Sequence, residues 1–118
     1  MGRAKSAKNI EIKPWLSANA DNREGRFVQL GNSLLLSKRF HELTSGARFM
    51  YMCMTMESGG AREFIFPVSA AAKYGISQSS LERQIKELIA AHFISCIEQN
   101  QTIRKPNLYR FTVDWKRS

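Results

Sequence analysis

Scarcities narrow the field for this chain before any motif does. Cysteine occurs only at Cys53 and Cys96, too few for a disulfide scaffold. Both lie inside apolar runs, where buried free thiols of a reducing compartment are expected. The two histidines, His41 and His92, form no H-x-x-x-H pair, and no C-x-x-C pair exists, so neither structural zinc nor another metal site is expected. There is no Gly-rich phosphate loop, and the ten acidic residues are scattered. The expectation is a protein that is not an enzyme and that holds no cofactor. No apolar run approaches the roughly 20 residues that span a bilayer, and no signal peptide opens the chain, which points to the cytoplasm. The opening "MGRAKS" fits the M-G-x-x-x-[ST] acylation pattern, a short and degenerate one that acts only in a eukaryotic host or virus.

The 118 residues suffice for one core. A hydrophobic share of 43% with 24% charged residues is that of a folded globular domain. Positive charge is the surplus: 18 Lys and Arg against 10 Asp and Glu give +8, and the isoelectric point is near 9.9. Such a surplus concentrates anions, of which nucleic acid is the commonest macromolecular case. Solubility alone, or weak attraction to anionic membranes, accounts for it less specifically.

"FMYMCMTM", residues 49–56, has Met at every second position. Met favours helix over strand, Thr44 and Ser45 offer an N-cap, and "SGG" at 58–60 ends the pattern. A helix from Ser45 to Glu57 is expected, with Phe49, Met50, Cys53, Met54 and Met56 toward the core and Arg48, Tyr51 and Thr55 outward. Thioether and thiolate suit Cu(I), but helical winding scatters these sulfurs, and Met is the usual gap-filler of cores.

Residues 64–92 carry the strongest signal. Pro67 suits a helix start, "VSAAAKY" is a short helix of small residues, and Gly75 supplies a left-handed end. Ile76 plugs the turn and Ser77 caps the next helix. That helix runs from Gln78 to about Ala91, with Leu81, Ile85, Leu88, Ile89 and His92 on one arc. Opposite lie Ser79, Arg83, Lys86 and Ala90, with Ser80 and Glu87 on one shoulder and Glu82 on the other. Small polar residues followed by cations suit a helix that enters a DNA groove: short side chains admit phosphates to the backbone, and Arg bonds a guanine edge bidentately. A solvated helix face reads similarly, and Glu82 and Glu87 would repel phosphate. After His92, Phe93–Glu98, the polar "QNQTIRKPN" and "NLYRFTVDW" read as strand, loop and strand, with Arg104 and Lys105 at the tip.

Over residues 27–115 the chain resembles winged-helix DNA-binding domains, and within them the small proteins and replication-initiator N-terminal domains of plasmids, phages and integrated elements. "FVQL…SLLLSKRFHELTSGARFMYMCM" is similar to their opening strand and first long helix. "FPVSAAAKYGISQSSLERQIKELIAAHFI" is similar to their helix-turn-helix, and "RKPNLYRFTVDW" to their wing and return strand. His92 stands where Gly is usual; His tolerates positive φ better than most residues. The resemblance implies an α+β fold, mainly α with a small β-hairpin: a three-helix core plus a two-stranded wing over residues 27–118, behind a flexible basic arm, 1–26. It implies that Gln78, Ser79, Ser80, Arg83, Gln84 and Lys86 face the major groove of double-stranded DNA, while Arg104 and Lys105 meet phosphates or the minor groove. Arg48 and Lys73 are backbone contacts, and Tyr51 suits the backbone or a partner surface equally. Replication initiation and transcriptional regulation are both open. So is a protein-docking use of the same fold within a replication or regulatory assembly, supported by Glu82, Glu87 and a Tyr51/Met52 patch. A homodimer would set half-sites about 34 Å apart; nothing in the sequence specifies one. Trp15, unusual in a polar arm, is expected to pack onto the domain or a partner. "LSKRFHEL" reads as a short helix capped by Ser37.

Overall fold

The computed structural model describes residues 9–100 and 105–117. In chain order these form β1 (Ile10–Glu11), β2 (Arg23–Glu24), α1 (Asn32–Leu36), α2 (Lys38–His41), α3 (Ser45–Ser58), β3 (Glu63–Ile65), α4 (Val68–Lys73), α5 (Gln78–Ala90), β4 (Ile94–Glu98) and β5 (Leu108–Phe111). The fold is α+β, with five helices and two small antiparallel sheets.

Local chemistry sets the helix ends. Thr44 is extended at φ −64°, ψ 159°, and its hydroxyl accepts from the Ala47 amide, opening α3. Gly59, left-handed at φ 63°, closes it. Ser77 caps α5 by accepting from Ser80 N, and Ser37 caps α2 by accepting from Phe40 N; each satisfies an amide that the first helical turn leaves without a partner. α4 follows Pro67 and ends before Gly75, whose φ of 77° turns the chain so that buried Ile76 fills the corner to α5. At the far end of α5, His92 has φ 67°, the left-handed turn expected of it.

The larger sheet has the order β3-β5-β4, and so three strands rather than a two-stranded hairpin. β3 pairs Glu63–Ile65 with Arg110–Leu108 of β5. Three residues are too few to carry a period of their own, and Pro67 directs attention to the helix beyond. The expected opening strand within 27–30 is absent; those residues form neither helix nor strand. Within the expected arm, β1 pairs with β2, and Asn19 Nδ2 donates to Arg23 O at 2.7 Å, tightening the loop between them. Trp15 is 77% exposed there and does not pack onto the domain.

The core lies between α3, α5 and the inner face of the larger sheet. Phe93, Met50, Met54, Leu88 and Ile94 are its largest fully buried side chains, each contributing about 1.5–3 kcal/mol of apolar transfer. α3 buries Ala47, Met50, Tyr51, Cys53 and Met54. The stripe is therefore rotated from the expected one: Tyr51 is only 8% exposed, whereas Phe49 is 46% exposed. Apolar residues surround this helix, so periodicity alone does not locate its stripe. The choice is made by aromatic partners on other elements: Tyr51 meets Phe93 at 5.4 Å and Phe111 at 5.6 Å, both edge to face. Cys53 is buried as expected, and burial, then Glu57, push its thiol up to about 11. Cys96, by contrast, is exposed on β4, an edge strand of its sheet.

Candidate nucleic-acid interface

α5 presents one continuous exposed face of Gln78, Ser79, Glu82, Arg83, Lys86 and Ala90. The side chains opposite, Leu81 and Leu88, are buried and hold this face outward. Arg83 Nη2 donates to Ser80 Oγ at 3.3 Å, which lays the guanidinium along the helix. Gln78 Nε2 donates to Glu82 Oε2 at 3.4 Å. Ser77 and Ser79 hydroxyls lie 3.4 Å apart over the first turn.

Two residues expected on this face are turned to its shoulder. Ser80 and Gln84 are half-buried, and Gln84 lies over Gly46 of α3, where an added Cβ would come within 2.0 Å of its Nε2. Gly46 thus lets the two helices approach closely. Glu87 is occupied on the same side: Thr44 donates to it from its backbone N at 2.7 Å and from Oγ1 at 2.8 Å. A carboxylate there satisfies the start of α3 and suits the positive end of its dipole. Glu87 is therefore withdrawn from the exposed face.

The hairpin joins this face at its N-terminal end. Ser69, Gln78, Glu82, Ile85, Pro106 and Asn107 line one open groove of about 550 Å³ between α4, α5 and the base of the hairpin loop. The loop base is clamped by two hydrogen bonds: Asn100 N donates to Asn107 Oδ1 at 2.7 Å, and Asn100 Nδ2 donates to Pro106 O at 2.8 Å. Lys105 is exposed beside this clamp; Arg104 lies outside the described residues. The signal for the clamp was present in the sequence as two Asn flanking the polar loop, though their pairing needs the register of β4 on β5.

The cations divide into paired and unpaired sets. Lys73 Nζ lies 2.7 Å from Glu57 Oε2, with Tyr74 OH donating to the same oxygen at 2.7 Å and Arg26 at 3.9 Å. The hydrogen bonds from Lys73 and Tyr74 hold the Glu57 carboxyl below its ordinary value, and burial with the nearby Glu57 pushes the Tyr74 phenol up to about 12. Lys73 is thus engaged in joining α4 to α3. Arg48 is half-buried with its Nε enclosed and unpartnered among the described residues, and it lies on a different helix from the α5 face. Arg110 pairs with Glu63 at 2.6 Å and Arg39 with Glu42 at 4.0 Å. Among the described residues Arg83, Lys86 and Lys105 are in no ion pair. A second cluster, Lys38, Arg39 and Lys116, surrounds Ser33, Ser37 and Trp115, beyond the end of β5 away from the hairpin loop.

No helix among the described residues is long and apolar enough to cross a membrane. No family model, curated protein or solved structure matches this chain.

Proposed function

We propose that this protein binds double-stranded DNA through a winged helix-turn-helix, acting in replication initiation or transcriptional regulation of a plasmid, phage or integrated element. The observation that carries the reading is the outward face of α5, where Arg83 and Lys86 lie free of ion pairs among the described residues, with Lys105 exposed at the base of the hairpin loop. The order of elements supports it as well: helix, strand, helix, turn, helix, strand, strand, with the strand after the first long helix paired to the last. α5 enters the major groove, the hairpin contacts the flanking backbone, and the net charge of +8 accelerates encounter. Withdrawal of Glu87 to α3 removes one of the two acids that argue against phosphate contact. The choice of replication or transcription, and of a mobile element, rests on the sequence resemblance alone.

A docking role in a replication or regulatory assembly is the second reading, favoured by exposed Phe49 on α3 and Trp15 near the start of the chain. Anisotropy of a labelled random-sequence duplex, titrated at several salt concentrations, separates the two. DNA binding predicts a steep loss of affinity with salt, by a slope equivalent to about 4 or more phosphates. It also predicts flattening by Arg83→Ala with Lys86→Ala, and by Arg104→Ala with Lys105→Ala. Absence of binding at about 50 mM salt, where non-specific contacts register, would leave the docking role.

A further inference from the structure

Glu82 is the residue that a purely phosphate-binding face would omit. It is exposed on one shoulder of the outward arc of α5, about 40° from Gln78 and about 40° from Lys86 at 100° per residue. The other acid of this helix, Glu87, is engaged by Thr44, and Glu57 and Glu63 each hold a cation. Glu82 is in no ion pair among the described residues, although Lys86 stands at the favourable i,i+4 position. Its hydrogen-bonding neighbour is the Gln78 carboxamide, which donates to Oε2, and both residues line the groove beside Pro106 and Asn107.

We infer that Glu82, oriented by Gln78, reads a base edge in the major groove and makes α5 select cytosine at one position. The inference rests on the DNA-binding reading above. A carboxylate only accepts hydrogen bonds. Guanine offers it O6 and N7, and thymine O4, all of them acceptors that repel it. Adenine offers the N6 amino group beside the N7 lone pair, so one carboxylate oxygen gains what the other loses. Cytosine offers the N4 amino donor with no acceptor beside it on that edge. A carboxylate gains nothing from phosphate, so the hydrogen-bond donors that Glu82 can meet in the major groove are the base amino groups.

The test is selection of bound duplexes from a randomised pool by the wild-type protein, Glu82→Gln and Glu82→Ala. Anisotropy on the selected duplex and its single-base variants then gives the preference at each position. The expected result is one position where wild type prefers cytosine by roughly ten-fold or more over each other base. At that position alone Glu82→Gln moves the preference toward adenine, the base that a carboxamide reads bidentately, and Glu82→Ala loses it. The salt slope stays unchanged, because every phosphate remains neutralised by the same cations. If Glu82→Ala instead tightens binding to all duplexes alike, or wild type selects no cytosine position that responds to Glu82, the side chain is a repulsive charge and the inference is overturned while DNA binding stands. If wild type binds no duplex at about 50 mM salt, the DNA-binding reading falls and takes this inference with it. Glu82 is exposed, and unchanged far-ultraviolet circular dichroism of both variants excludes misfolding as the cause.

Discussion

His92 is exposed and held at φ 67°, where a side chain costs about 1–2 kcal/mol relative to the right-handed region and glycine costs almost nothing. Its carbonyl accepts from the Thr112 hydroxyl, a bond that a change of side chain preserves. His92→Gly is therefore expected to stabilise the protein by about 0.5–1 kcal/mol after glycine's entropic loss, and His92→Val to destabilise it; urea midpoints decide. A different single residue separates stability from binding. Glu87→Ala removes two hydrogen bonds to Thr44 and should cost about 1–2 kcal/mol while leaving intact the salt slope that the proposed DNA binding predicts. Loss of slope in that variant would return Glu87 to the interface.

Among the elements, the ends of α3, α4 and α5 were readable from the chain because capping is local: Thr44, Ser77, Gly59 and Gly75 act within a few residues of themselves. Which side of α3 is buried was not readable, since that depends on Phe93 and Phe111, more than 40 positions away. The expected consequence is unequal: Met54→Ala should cost about 2–5 kcal/mol and Phe49→Ala less than about 1 kcal/mol, although the linear pattern makes both core-facing. Equal losses would favour the helix orientation that the linear pattern implies. Where elements meet, Glu57 of α3 holds Lys73 of α4 and Arg26. Its carboxyl is depressed in the folded state, so the stability it supplies is present above the unfolded value near 4.5 and is lost as pH falls through the lower folded value. Wild type should exceed Glu57→Gln in stability at neutral pH, by no more than about 1 kcal/mol because both cations are largely exposed. The two should converge in acid. A difference that persisted at low pH would mean that shape, not charge, carries the interaction.

For the whole molecule, a net charge of +8 predicts encounter with polyanions but not where they bind. Among the described residues Arg83 and Lys86 stand unpaired on α5 and Lys105 in the loop, while Lys38, Arg39 and Lys116 line a separate pocket with Ser33 and Trp115. If α5 is the groove-bound element, Arg83→Ala with Lys86→Ala flattens the salt dependence by about 0.9 for each phosphate no longer neutralised. Lys38→Ala with Lys116→Ala flattens it less. The reverse order would move the interface to the α2 end.

The chain alone dictated the helices α2 to α5, their caps, both left-handed turns flanking α5 and the alternation that makes β5, because each depends on backbone preference or on a period a few residues long. It also announced Ser79, Arg83 and Lys86 on one face, since the winding of α5 follows from Leu81 and Leu88. Folding settled what depends on distant partners: a third strand at β3 supported by β5, Tyr51 enclosed by aromatic rings, Cys96 left at a sheet edge, Gln84 drawn over Gly46, and Glu87 turned to Thr44. These outcomes come from side chains that find partners across gaps of roughly 40 to 60 residues. No local pattern encodes such pairings, because a side chain's environment is set by what the rest of the fold brings beside it.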